Sequence, residues 1–159
     1  MKILTLLSIL FFISCDANKE PVEYIHIKES LSDDIYIKYP KSEYVTHFYD
    51  KKDDTIKFDL SKNEFDSIQI LYTKYVNSYP TDIEIYLKNK NFYVTHGGTS
   101  EYHFSLKNKN NKVITLIYIG GNDVDKEFEN FMKFDTYVQK LLNRKKELKN
   151  KPESNIFVL

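Results

Sequence analysis

Four histidines are the side chains of this sequence best suited to bind a metal ion or to move a proton near neutral pH. They are His26, His47, His96 and His103. No two of them have the close helical spacing that zinc hydrolases use, and no Cys-x-x-Cys pair accompanies them. We therefore predict no metal site and no cofactor. Because His26 and His103 alternate with apolar neighbours, we expect both to face outward from a sheet.

Two glycine pairs are candidates for other chemistry. His96-Gly97-Gly98 resembles the oxyanion loop of esterases, but the Gly-x-Ser-x-Gly nucleophile elbow that gives such a loop its role is absent from the sequence. Gly120-Gly121 precedes a predicted helix, where it could cradle a phosphate, but acidic residues at positions 123 and 125 would repel an anion. Both pairs predict structural turns. We expect no enzymatic activity, and a hydrolase or metalloenzyme using His96 or His103 is the alternative.

Two pairs of adjacent carboxylates, Asp33-Asp34 and Asp53-Asp54, are further candidates for acid–base chemistry. Neighbouring residues of a strand point to opposite faces, so the two members of each pair would diverge. A general acid and a general base must converge on one site. We therefore predict that both pairs are turn residues.

Outward tyrosines are the best candidates for a binding surface. Tyr24, Tyr36 and Tyr86 each lie on the polar side of an alternating segment. Tyrosine offers a large contact area and a hydroxyl group at a low cost in conformational entropy, which suits an interaction surface. The alternative is that these residues reflect only the preference of tyrosine for strands.

The first fifteen residues have the pattern of an export signal. Lys2 is followed by an apolar run from Ile3 to Ile13, which is shorter than the roughly 20 residues that span a bilayer as a helix. Phe12-Ile13-Ser14-Cys15 resembles the lipobox of bacterial lipoprotein precursors, although Phe12 stands where an aliphatic residue is more usual. The resemblance implies that residues 1–14 are a signal peptide and that Cys15, the first mature residue, carries acyl chains such as palmitate.

Charge and cysteine content further limit the class of protein to which this sequence can belong. The chain has 23 basic and 23 acidic residues, and such a balance lacks the positive surface of a nucleic-acid-binding protein. Cys15 is the only cysteine, so an exported domain has no internal disulfide and depends on packing for its stability. We expect residues 15–21 to be the lipidated cysteine and a tether, residues 22–151 a single domain, and residues 152–159 a tail that is either frayed or an edge strand.

Hydrophobic periodicity predicts the elements that must position these groups. Alternation of apolar and polar residues predicts half-buried strands. These strands are predicted over residues 24–28, 35–39, 43–49, 55–60, 83–87, 92–95, 102–106 and 113–119. Helical spacing predicts one helix behind the capping box Ser61–Glu64 and a second from Phe128 to Leu142. The polar segment 108–112 is predicted to be a turn. Hairpin-length turns favour an α+β domain, with a mainly antiparallel sheet on which two amphipathic helices pack.

These observations predict a small lipid-anchored protein of the cell envelope that binds a partner on the exported side of a membrane. The lipid on Cys15 would attach it to the membrane, and the partner would be another envelope protein, a peptide or a glycan. An immunity protein or enzyme inhibitor is the more specific alternative.

Overall fold

The computed structural model describes residues 21–89, 98–108, 110–120 and 126–156. In this part of the chain it contains seven strands, two α-helices and a short 3-10 helix at Lys146–Leu148. The strands are β1 (Val22–Glu29), β2 (Asp33–Lys38), β3 (Lys41–Thr46), β4 (Asp54–Asp59), β5 (Asp82–Asn89), β6 (Thr99–Leu106) and β7 (Lys112–Gly120). The helices are α1 (Lys62–Tyr75) and α2 (Lys126–Arg144). The predicted α+β class is confirmed.

The strands form one mixed sheet in the order β4-β3-β2-β1-β6-β7-β5. Five of its six pairings are antiparallel, and β5 pairs with β7 in parallel. A mainly antiparallel sheet was predicted, but the parallel pair was not. It arises because β7 returns between β6 and β5, so that β5 does not lie beside the strand that follows it. The strand predicted over residues 92–95 lies outside the described residues.

The two faces of the sheet differ in burial, as the alternation predicts. On what we call the inner face, the first four strands of the chain bury a set of mostly apolar side chains. They are Ile25, Ile27, Ile35, Ile37, Tyr44 and Phe58. The opposite or outer face carries the intervening polar residues, such as His26 of β1 and Asp34 of β2. The strands run between two ends of the sheet. We call the end at which β1 begins the proximal end and the end at which β1 finishes the distal end.

Aromatic side chains fill the space beside the inner face. The ring of Tyr72 in α1 lies 5.1 Å from that of Phe104 in β6. From α2, the ring centroid of Phe131 lies 5.1 Å from that of Tyr102 in a T-shaped contact, and the ring centroid of Phe134 lies 5.6 Å from that of Phe104. All five rings are at least 99% buried. Edge-on and tilted contacts of this kind add to the free energy gained by burying aromatic surface.

Helix α1 begins at the predicted capping box. The Oγ atom of Ser61 accepts a hydrogen bond from the Glu64 amide at 3.3 Å, and the Ser61 amide donates to Glu64 Oε2 at 2.8 Å. The capping pair is tied to the chain after α2, because Lys145 Nζ donates to Glu64 Oε2 at 2.8 Å. This hydrogen bond holds the start of α1 near the end of α2.

Helix α1 finishes against a buried lysine. Lys112 Nζ donates to the carbonyl oxygens of Val76, Asn77 and Tyr79 at 3.1, 2.8 and 2.6 Å. A cation at this position satisfies carbonyl groups that a helix leaves without partners, and it complements the helix dipole. The sequence predicted a polar turn at Lys112. That prediction is wrong, because Lys112 is the first residue of β7 and its side chain is buried.

Hydrogen bonds hold both ends of the described chain. At the proximal end, the Lys107 amide donates to the Pro21 carbonyl at 3.2 Å, and the Val22 amide donates to Gln69 Oε1 at 2.9 Å. At the distal end, Ser154 Oγ donates to the His47 carbonyl at 2.6 Å. Residues 151–156 form neither helix nor strand, and positions 157–159 lie outside the described residues.

Candidate functional site: a histidine–carboxylate cleft

Two histidines and two aspartates meet on the outer face near the distal end. His26 of β1 lies beside Asp34 of β2, with 3.1 Å between His26 Nε2 and Asp34 Oδ1. His47 follows the last residue of β3, and its Nε2 atom lies 3.1 Å from Asp34 Oδ2. The other ring nitrogen of His47, Nδ1, lies 2.8 Å from Asp53 Oδ2 in the loop before β4. Asp34 thus bridges two imidazoles, and His47 bridges two carboxylates.

This arrangement favours the cationic form of His47. A neutral imidazole donates from only one of its nitrogens, whereas both nitrogens of His47 face a carboxylate oxygen. The hydrogen bond to Asp53, followed by the one to Asp34, raises the pKa of His47 against the opposing effect of burial. The same hydrogen bond to His47 lowers the pKa of Asp53. Protonation of His47 therefore makes this contact an ion pair.

Asp34, His47 and Asp53 line a cleft of about 590 Å³ at the distal end, which we call the distal cleft. Its walls also include Lys28, the apolar side chains of Leu31 and Phe48, and Glu101. Charged groups therefore face apolar ones across a space of the size that small ligands or the side chains of a partner occupy.

Ser30 is the strained residue of this cleft. Its φ of 52° lies in the left-handed region, which costs a residue other than glycine roughly 1–2 kcal/mol. Hydrogen bonds to Thr99 offset this cost: the Ser30 amide donates to the Thr99 carbonyl at 2.9 Å, and Ser30 Oγ donates to the same oxygen at 3.1 Å. The turn between β1 and β2 is thereby held against β6, which fixes one wall of the cleft.

His103 of β6 lies beside His26 on the outer face. Its Nε2 atom lies 2.9 Å from Glu101 Oε2, and its ring centroid lies 5.6 Å from that of His26. On its other side, His26 stacks on Tyr36 at 4.3 Å. The outward orientation predicted for His26 and His103 is therefore found. His96 lies outside the described residues.

The three candidate tyrosines do not form one patch. Tyr24 and Tyr36 line a second cleft of about 600 Å³, which Tyr39 extends to the proximal end. Tyr86 lies on β5, where its Oη atom donates to Glu84 Oε2 at 2.7 Å. It pairs with Ile117 of β7, which in turn pairs with Thr99 of β6 at the distal cleft. Their role in binding stays a prediction.

The convergence of Asp34, His47 and Asp53 was not predicted from the sequence. Both aspartates were predicted to be turn residues, yet their side chains meet on one imidazole. The alternation of β2 places Asp34 on the same face as Tyr36, and this was the one available signal. The pairing of β2 with β3 and the return of the loop at Asp53 leave no local pattern in the sequence.

A second polar cluster joins α2 to the inner face. Tyr102 Oη donates to Asp135 Oδ1, and Gln139 Nε2 donates to Glu29 Oε1 at 3.3 Å. Burial raises the pKa of Asp135 and the pKa of Glu29. These groups tie α2 to β1 and β6.

No family model matches this chain, and no curated protein or solved structure matches it significantly. The described residues contain no group of three or more His, Cys, Asp or Glu side chains arranged to hold a metal ion. They also contain no helix of the length and apolar character needed to cross a membrane. Cys15 lies outside the described residues, so its acylation stays a prediction.

Proposed function

We propose that this chain is a lipid-anchored protein of the cell envelope that binds a protein partner at its distal cleft. The anchor would be the acylated Cys15, and the domain would lie on the exported side of the membrane. The leader supports this part of the proposal, because a positive residue, an apolar run and a lipobox-like Phe12-Ile13-Ser14-Cys15 occur in the required order.

We also infer that two amphipathic helices cover the inner face of the sheet and leave the outer face for binding. The contacts of Tyr72 with Phe104 and of Phe131 with Tyr102 support this inference. An antiparallel sheet commonly has one face on a core and the other in water. The outer face then carries the histidine–carboxylate cluster into solvent.

The position of the His47 ring between the carboxylates of Asp34 and Asp53 is the observation that carries the proposal of binding. Both nitrogens of His47 lie within hydrogen-bond distance of carboxylates, which favours a cation held in place and leaves neither nitrogen free to act as a general base. Exposed apolar side chains lie at the same end, where Leu31 is 62% exposed and Tyr49 is 89% exposed. An apolar contact area with charged groups around it is typical of protein–protein interfaces.

The anchor is tested by metabolic labelling with a clickable fatty acid. We expect the wild-type protein to take up the label and the Cys15→Ala variant to lose it, because Cys15 is the only cysteine in the chain. A wild-type protein without label would contradict the anchor.

The binding site is tested by photo-crosslinking in intact cells. A photoreactive phenylalanine analogue replaces Leu31 at the distal cleft, and the matched control places it at Ile70 on α1, which is 65% exposed. We expect a discrete protein adduct from position 31 and none from position 70. An adduct with a toxin or hydrolase would specify the role as immunity or inhibition. Equal adducts from both positions, or none from position 31, would contradict the proposed site.

A further inference from the structure

The second cleft, which Tyr24, Tyr36 and Tyr39 line, lies where the chain enters the domain. We call it the proximal cleft. Hydrogen bonds of Pro21 and Val22 to Lys107 and Gln69 fix the entry point at this end. Five residues lie between Cys15 and Pro21, and a fully extended chain of that length spans only about 20 Å from one Cα atom to the other. If Cys15 is acylated, the proximal end cannot move far from the membrane surface.

The proximal cleft presents aromatic and basic side chains to its surroundings. Tyr24 is 40% exposed and Tyr39 is 45% exposed. Packing positions Tyr39, whose ring lies 5.9 Å from that of Phe65 in α1. Tyrosine is enriched at membrane interfaces, because its ring suits the acyl boundary and its hydroxyl suits the headgroups.

The charges around this cleft have a positive balance. Lys38, Lys41 and Glu43 line it. The nearest ion pairs add Asp59, which pairs with Lys41, and Lys57, which pairs with Glu43. Three lysines therefore face two carboxylates. Where the chain enters, exposed Lys107 adds a positive charge and exposed Glu23 of β1 adds a negative one, so the lysines still exceed the carboxylates by one. Such a surface is attracted to anionic lipids.

We propose that the proximal end docks on the anionic surface of the membrane that holds the anchor. Tyr24 and Tyr39 lie at the level of the headgroups, and Lys38 and Lys107 face lipid phosphates. Docking turns the distal cleft away from the membrane, toward partners. This proposal rests on the proposed acylation of Cys15.

The test uses the full chain, acylated in bacteria and reconstituted into vesicles of phosphatidylethanolamine and phosphatidylglycerol. Because Cys15 is the only native cysteine, one engineered cysteine carries a nitroxide label. Asn110→Cys places the label between β6 and β7 at the proximal end, and Lys52→Cys places it at the distal end. Electron paramagnetic resonance then measures collisions of each label with oxygen and with a water-soluble nickel chelate.

We expect the label at position 110 to be shielded from nickel and the label at position 52 to be open to it. The double variant Lys38→Glu/Lys107→Glu should return label 110 to water, and so should vesicles of phosphatidylcholine alone. The matched control is Lys51→Glu/Lys140→Glu, which makes the same change in charge at exposed lysines in the loop after β3 and on α2 and should leave label 110 shielded.

Mass spectrometry of the purified protein distinguishes a failure of the acylation from a failure of the docking. An unacylated chain would refute the anchor and, with it, the docking. An acylated chain whose two labels are equally open to water would overturn the docking and leave the anchor intact. A cleft that takes a soluble ligand in place of lipid would give this second result in both lipid mixtures.

Discussion

His47 is the side chain of the distal cleft that contacts two carboxylates. It lies between Asp34 and Asp53, and the loop that carries it is held by Ser154 from the end of the chain. Hydrogen bonds to charged groups are stronger than those between neutral groups, so the cluster couples the geometry of the cleft to the protonation of one ring.

We expect the titration midpoint of His47, followed by NMR of its ring, to lie above the ordinary value of 6.5 because two carboxylates stabilise the cation. The folded state then binds the proton more tightly than the unfolded state. The stabilisation is complete below the unfolded pKa and is lost as the pH rises through the folded pKa. Urea unfolding over a pH series should therefore show a fall in stability as the pH rises above 6.5, and His47→Gln should reduce that fall.

The control for this prediction is Asp53→Asn, which keeps a hydrogen-bonding oxygen but removes a charge. It should lower the midpoint of His47. A wild-type midpoint at or below 6.5, or a midpoint that Asp53→Asn does not move, would contradict the ion pair.

Lys112 contributes to the free energy of unfolding through its hydrogen bonds to the end of α1. We expect Lys112→Met to lower the free energy of unfolding by roughly 2–3 kcal/mol, because three carbonyl groups lose a charged donor in a buried setting. Thermal or urea unfolding measures the loss. The exposed Lys107 is the matched control, and Lys107→Met should change stability by less than about 0.5 kcal/mol. Equal effects at the two positions would argue against a capping role for Lys112.

At the scale of the elements, the start of α1 is set by neighbouring residues. Ser61 caps the helix within a capping box, and Glu64 of that box accepts a further hydrogen bond from Lys145. The start of α1 is therefore fixed twice, once by neighbouring residues and once by a residue distant in sequence.

Replacing the cap tests this element. We expect Ser61→Ala to cost about 1 kcal/mol in urea unfolding, because the Glu64 amide loses its acceptor. Ser67→Ala is the control within the same helix. Ser67 Oγ only donates back to the Asn63 carbonyl, a bond that adds little to a helix, so this change should be close to neutral. A larger loss from Ser67→Ala than from Ser61→Ala would contradict the capping assignment.

At the scale of the whole molecule, one core joins the sheet to both helices. Phe104 is fully buried, and its ring contacts Tyr72 of α1 and Phe134 of α2. Elements that share such a core unfold together in most small domains.

We expect Phe104→Ala to lower the free energy of unfolding by about 3–5 kcal/mol, through lost burial and the cavity that remains. The chain has no tryptophan, so tyrosine fluorescence reports tertiary packing and far-UV circular dichroism reports the backbone. The two transitions should coincide. The exposed Tyr49 provides the control, since Tyr49→Ala should be nearly neutral. Separate transitions for the two probes would show that the helices and the sheet unfold independently.

The sequence by itself determined the features that depend on neighbouring residues. Alternation in β1 and β2 predicted that Ile25, Ile27, Ile35 and Ile37 share a buried face, and Ser61–Glu64 predicted the start of α1. Periodicity and capping act within a few residues, so their signal is present in any short window.

Only the tertiary structure decided which segments meet. The parallel pairing of β5 with β7, the burial of Lys112 beneath the end of α1, and the approach of Asp34 and Asp53 to His47 all join residues from separate elements. Such contacts arise from the packing of whole strands and helices, and no local spacing encodes them. The distal cleft exists for the same reason, because its walls come from β1, β2, β6 and the loop after β3.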